Sequence, residues 1–99
     1  MKIFLDKELF KEVILLDLGI VIAGETKEYE FYLYNEKKCK LVDLKFVCIN
    51  KEIFINKAPI EMEKEEITKL ILKWSPSVTL KEGLSTTINI TGGEIYSYL

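Results

Sequence analysis

Alternation of apolar and polar residues dominates this chain, and sustained helical spacing is hard to find. The clearest case is the segment of residues 28–34, where Tyr29, Phe31 and Leu33 alternate with glutamates and a tyrosine. Successive side chains of a β-strand point to opposite faces of the sheet. The pattern therefore predicts a strand with these three side chains in the core, and similar patterns predict strands along most of the chain.

The first two thirds contain several further predicted strands. Residues 2–5 form a short first strand, and residues 10–22 form one long strand with a bend at Gly19, since a glycine inside a strand often marks a bend. Residues 53–55 form a short strand at a sheet edge, which Pro59 ends because proline cannot donate to a strand ladder. Strand edges at residues 53–55 or 1–5 are places where a partner strand can add. A polar turn at residues 35–38 precedes another strand, whose inward residues are Val42, Leu44, Phe46 and Cys48.

The last third of the chain has the pattern of a hairpin. Its first strand points Thr68, Leu70, Leu72 and Trp74 inward, its turn lies at residues 81–83, and its second strand points Thr86, Ile88 and Ile90 inward. Gly92 and Gly93 are expected to end that strand, leaving residues 94–99 as a last short strand or a tail. About seven strands with frequent turn signals predict an all-β, antiparallel sandwich that forms a single domain over residues 1–99.

Two segments carry a resemblance to a known group of domains. Residues 17–35, DLGIVIAGETKEYEFYLYN, and residues 69–92, KLILKWSPSVTLKEGLSTTINITG, resemble the opening and closing hairpins of immunoglobulin-like domains of the major-sperm-protein and ASH-type group. Small immunoglobulin-like modules of phage virions are similar. The resemblance implies an immunoglobulin-like sandwich with a scaffold or binding role, and it carries no functional residues to transfer. Trp74 lies too late in the chain for an antibody-type domain.

Charge and hydropathy narrow the range of partners. The 99 residues include 14 lysines and arginines against 16 aspartates and glutamates, and the two signs interleave along the chain. A basic stripe that would bind a phosphate backbone is missing, so nucleic acid is not an expected partner. Asp6, Glu8 and Glu12 argue against a secretory signal, and the apolar runs are too short to span a membrane. We expect the protein in the cytoplasm or in a virion, without a membrane partner.

The residue types speak against catalysis. The chain has no histidine, which is the commonest general base and metal ligand. Cys39 and Cys48 fall at the two ends of one predicted strand, about 30 Å apart at ~3.3 Å per residue, which is too far for a disulfide. We therefore expect two free thiols, no cofactor and no enzymatic activity.

One acidic cluster interrupts the strand pattern, and it consists of Glu61, Glu63, Glu65 and Glu66. Its composition suits a turn of helix and a solvated loop. Its carboxylates can also ligate a hard cation such as calcium, although the spacing of a recognisable calcium loop is missing. We predict no metal site here.

Four tyrosines are the candidate contact residues: Tyr32, Tyr34, Tyr96 and Tyr98. Exposed tyrosine supplies large, stiff contact area and is enriched at interfaces, whereas a half-buried tyrosine also suits the outer face of any sheet. On the first interpretation the protein is a non-catalytic subunit of a larger assembly, such as a decoration, neck or tail component of a phage virion, with other protein subunits as partners in a homo- or hetero-oligomer. The alternative is a monomeric recognition module that binds a carbohydrate or a peptide through Tyr32, Tyr34 and nearby loops.

Overall fold

The protein is all-β and its sheets are antiparallel. A computed structural model describes residues 1–20, 22–79 and 84–96, and among these residues it contains nine strands and no helix. The strands are β1 (Lys2–Phe4), β2 (Glu12–Val13), β3 (Leu16–Asp17), β4 (Lys27–Tyr34), β5 (Lys40–Cys48), β6 (Ile53–Lys57), β7 (Ile67–Trp74), β8 (Ser85–Thr86) and β9 (Ile88–Ile95).

The first sheet has five strands in the order β2-β1-β4-β7-β6. Its centre is the pair β4 and β7, which are in register over eight residues from Lys27 opposite Trp74 to Tyr34 opposite Ile67. The predicted faces of both strands are confirmed. Phe31 and Leu33 lie on the buried face beside Leu70 and Leu72. Slipping the register by one residue would expose all four side chains, so the burial of this face specifies the register.

The second layer consists of two strand pairs, β3 with β8 and β5 with β9. Side chains from this layer and from the first sheet meet in one core, a sandwich-like arrangement. The buried members of this core are Leu16, Leu18, Phe31, Leu33, Cys39, Leu41, Leu44, Ile53, Met62, Leu70, Leu72 and Trp74. Cys39 precedes β5 and Cys48 ends it, as predicted, and both are free thiols.

The predicted long strand over residues 10–22 is wrong. β2 turns back to pair with β1, after which the exposed Ile14 and Leu15 lead into the second layer, where β3 pairs with β8. The segment breaks at Gly19, which has a φ of 71° and whose N–H donates to Asp17 Oδ1 at 2.9 Å. That left-handed conformation ends a strand instead of bending it. Because β2 and β4 flank β1, residues 1–5 are also not the predicted sheet edge, whereas β6 is one.

The predicted hairpin in the last third is also wrong. β7 pairs with β4 and β6 in the first sheet, while β8 and β9 pair with β3 and β5 in the second layer. The two predicted inward sets are correct, since both strands face the same core from opposite sides. The predicted turn at residues 81–83 lies outside the described residues.

Two details of the second layer differ from the simple alternation. The inward register of β5 shifts between Val42 and Lys45, where Asp43 has a φ of 52°, so Leu41 is buried in place of Val42. This is a β-bulge, which inserts an extra residue into one strand. Gly92 and Gly93 lie inside β9 and do not end it.

The acidic segment is not helical. Met62 lies in its middle, is fully buried, and forms an isolated antiparallel bridge with Leu41 of β5. Two backbone hydrogen bonds of 2.8 and 2.9 Å join these residues. Through Met62, the acidic segment therefore lies beside β5, on the edge opposite β9.

The two glycines of β9 predict different responses to alanine. A Cβ at Gly92 would lie 2.8 Å from the carbonyl oxygen of Val42 and 2.9 Å from Leu44 Cδ2, whereas the nearest atom to a Cβ at Gly93 is 3.5 Å away. We expect Gly92→Ala to destabilise the fold by about 1–3 kcal/mol through overpacking. Gly93→Ala, the matched control, should change stability by less than about 0.5 kcal/mol in urea unfolding. Equal losses for the two variants would contradict the position of β9 over Leu44.

Candidate functional site

The outer face of the first sheet carries two of the predicted contact residues. Strand alternation and register place the following side chains on this face, which we call the outer face: Lys2, Phe4, Glu12, Glu28, Glu30, Tyr32, Tyr34, Phe54, Lys57, Ile67, Lys69, Ile71 and Lys73. Tyr32 and Tyr34 are half-buried there, and Ile67, opposite Tyr34, is 43% exposed. The outward direction predicted for both tyrosines is therefore present in the structure.

The outer face has a charged half and an apolar half. Lys73 Nζ lies 3.9 Å from Glu28 Oε2, and Lys69 Nζ lies 3.8 Å from Glu30 Oε2, in two exposed cross-strand pairs between β4 and β7. Exposed pairs of this kind add little stability. The apolar half lies towards Tyr34, where the sheet continues into β1, and Lys2 lies opposite Tyr34 at its border.

The loop between β1 and β2 lies beside the apolar half of the outer face. Phe4 is only 7% exposed although it lies on this face, and its ring meets that of Tyr34 edge-on at 6.3 Å and 66°. The loop between β1 and β2 is held by Asp6, whose carboxylate accepts from the backbone N–H groups of Phe10 and Lys11. Beside this loop lies a shallow pocket of about 460 Å³, lined by Lys7, Glu8, Tyr32, Ile67 and Lys69. The tyrosine ring, an isoleucine and three charged groups converge there.

The other described candidate, Tyr96, lies away from the outer face. It follows β9 in the second layer, is 51% exposed, and its hydroxyl donates to Glu94 Oε2 at 2.6 Å. Lys37 forms an ion pair with the other carboxylate oxygen. The hydrogen bond from Lys37, with that from Tyr96, lowers the pKa of Glu94, and donation to Glu94 raises the pKa of Tyr96. Tyr98 lies outside the described residues, so the structure divides the described candidates between two surfaces.

A groove opens between the first sheet and the second layer on the side of β1 and β2. Its volume is about 430 Å³. The side chains of Ile3 and Val13 form one wall, and those of Leu41, Leu44, Ile88 and Ile90 form the other. Lys37 and Glu94 stand at its polar end. This groove was not predicted, because it depends on how far apart two strands distant in sequence lie.

Two glutamates of the acidic cluster are paired with a lysine of the same chain. Lys40 Nζ lies 3.3 Å from Glu63 Oε1 and 3.5 Å from Glu61 Oε1, and these carboxylates raise the pKa of Lys40. Glu66 Oε1 accepts from the backbone N–H of Glu63 at 3.1 Å. In the described part of the chain, the structure has no group of three or more histidine, cysteine, aspartate or glutamate side chains arranged to hold a metal ion.

Comparisons of the chain with protein-family models, with curated proteins and with solved structures found no match in any of the three. Within residues 1–20, 22–79 and 84–96, no helix has the length and apolarity to cross a membrane.

Proposed function

We propose that the protein is an immunoglobulin-like, non-catalytic subunit of a larger protein assembly, such as a phage virion, and that other subunits pack on its outer face. Support for the immunoglobulin-like topology comes from the strand order. The order β1-β4-β7-β6 in the first sheet corresponds to A-B-E-D, and the pair of β5 and β9 corresponds to C-F of the second sheet in such domains.

The observation that carries the proposed function is the apolar half of the outer face. Tyr32, Tyr34 and Ile67 are adjacent by register there and remain partly accessible, while the charged half lies next to them. An apolar patch with a polar rim is typical of protein contact surfaces, and tyrosines are frequent anchors in them.

The test is to replace both tyrosines and measure association. In the Tyr32→Ala/Tyr34→Ala variant we expect self-association, or binding to an identified partner subunit, to weaken by about 1 kcal/mol or more for each anchor. Tyr32→Phe/Tyr34→Phe is the matched control, because it keeps the rings and most of the contact area. Unchanged association of the alanine variant, with the fold intact by circular dichroism, would contradict a contact on this face.

The pocket beside Tyr32 favours a second candidate function, a recognition module for a peptide or carbohydrate. Aromatic rings with nearby charged groups are common in small-ligand sites. This candidate predicts a monomer in which titration with peptides or oligosaccharides shifts the NMR signals of Tyr32 and Ile67 and leaves those of β9 unchanged. An oligomer that depends on the tyrosine rings would favour the assembly subunit instead.

A further inference from the structure

β9 has one open edge. Along one side it pairs with β5 from Ile88 to Ile95. On its other side, β3 pairs with β8 and not with β9. Residues 18 and 19, which follow β3, form backbone hydrogen bonds with Leu84, before β8 begins. Within the described residues, no backbone group bonds to residues 88–95 on that side. We call this side of residues 88–95 the open edge.

The open edge lacks the protection that the two edges of the first sheet have. β2, at one end of the first sheet, is two residues long, and β6, at the other end, has a register shift after Ile55, carries Lys57, and is followed by Pro59. Short strands, bulges, lysines and prolines are the usual means of preventing edge-to-edge pairing. β9 is eight residues long and contains none of these, and its two glycines leave the backbone accessible.

Apolar surface lies directly beneath the open edge. Ile88 and Ile90 are half-buried on the inward face of β9, and the groove between them and β1 is lined by Ile3 and Val13. A strand added beside β9 would extend the second layer over this groove. Its inward side chains would then cover the isoleucines and the groove wall.

The charges of β9 suit a second copy of the same chain. An antiparallel strand edge is self-complementary about a twofold axis, so the main obstacle to self-pairing is repulsion between like charges. Glu94 is the only ionisable residue in β9, and Lys37 and Tyr96 already bind its carboxylate. Self-pairing of β6 would instead bring the two Lys57 side chains onto one edge.

We infer that two copies of the protein associate by antiparallel pairing of their open edges, β9 against β9, which joins their second layers into one sheet. This inference rests on the proposed role as an assembly subunit and adds a second contact surface, distinct from the outer face. In the dimer, Ile88 and Ile90 of each copy point to the same side of the joined sheet and cover the mouth of the neighbouring groove.

The test is sedimentation equilibrium of the full chain and three variants. Asn89 and Thr91 are exposed and point away from the core, so Asn89→Lys/Thr91→Lys adds charge along the open edge without entering the core. We expect the wild-type chain to dimerise and the dissociation constant of the double variant to rise at least tenfold. Asn56→Lys, on the edge strand β6, is the matched control and should leave the dissociation constant unchanged.

The outcomes separate the open edge from the outer face. A wild-type chain that stays monomeric up to the highest soluble concentration would overturn the inference, as would a dimer whose dissociation constant is the same in the folded double-lysine variant. If Tyr32→Ala/Tyr34→Ala abolished that dimer while the lysines had no effect, the open-edge inference would fail and the proposed function would stand. Dissociation by the lysines alone supports the inference.

Discussion

Replacing Phe31 with alanine should lower the free energy of unfolding by about 3–5 kcal/mol, because the side chain is removed from a well-packed core. Phe31 is 4% exposed, lies in the middle of β4 opposite Leu70, and belongs to the core that joins both layers. Urea unfolding of the variant measures the loss directly.

The control for Phe31 is another phenylalanine of the same sheet. Phe54 lies on the outer face and is 66% exposed, so Phe54→Ala should cost less than about 1 kcal/mol. If the two variants lost the same stability, the assignment of the inward and outer faces of this sheet would be wrong.

Asn35 should be the most sensitive polar residue, with a loss of about 2–4 kcal/mol on replacement by alanine. It is fully buried, and its Nδ2 donates to the carbonyl oxygens of Cys39 at 2.8 Å and Glu63 at 3.0 Å. Its Oδ1 accepts from the backbone N–H of Lys37 at 3.1 Å. Alanine removes these bonds and leaves buried carbonyl groups without a partner, and each such group is costly.

Two further variants distinguish this role from a simple loss of volume. Asn35→Asp keeps the shape but turns an acceptor towards both carbonyls, so it should be at least as destabilising as alanine at neutral pH and less so in acid, when the carboxyl is protonated and can donate. Asn56→Ala removes an exposed asparagine of β6 and should stay within about 0.5 kcal/mol of the wild type. Similar stabilities for Asn35→Ala and Asn56→Ala would contradict the role of Asn35 in joining its own turn to the segment at Glu63.

The faces of the long central strands could be predicted from sequence, and their pairing could not. In β4 and β7 large apolar residues recur at every second position, so alternation alone assigned Phe31, Leu33 and Leu72 to the core correctly. Alternation contains no information about which strand lies alongside. For this reason β7 was predicted to form a hairpin with the residues that follow it, which in the structure form β8 and β9 on the other side of the core.

Local backbone chemistry explains the remaining errors. The apolar run before Gly19 suggested one strand, but it is divided at Ile14 and Leu15, where the chain passes from the first sheet to the second layer. The hydrogen bond to Asp17 and the left-handed φ of Gly19 end the second piece. The burial of Asn35 depends in part on the carbonyl group of Glu63, which lies 28 residues away in the chain. The bulge at Asp43 shifts β5 by a residue that no pattern of apolar positions marks.

Some features of the candidate surfaces could be predicted from the sequence, and others could not. Tyr32 and Tyr34 were predicted on the outer face because they share a strand with known inward residues. Their separation from Tyr96 follows from the assignment of β4 and β9 to different layers, which is a tertiary property. The open edge was missed for a related reason, since the glycines of β9 were interpreted as the end of a strand.

The most direct test of the proposed contact surfaces is the mass of the full chain in solution, measured by light scattering behind a sizing column over a range of micromolar concentrations. We predict a mass that rises with concentration to twice the chain mass, as expected if two copies pair along the proposed open edge. A monomer mass at every concentration would contradict this prediction.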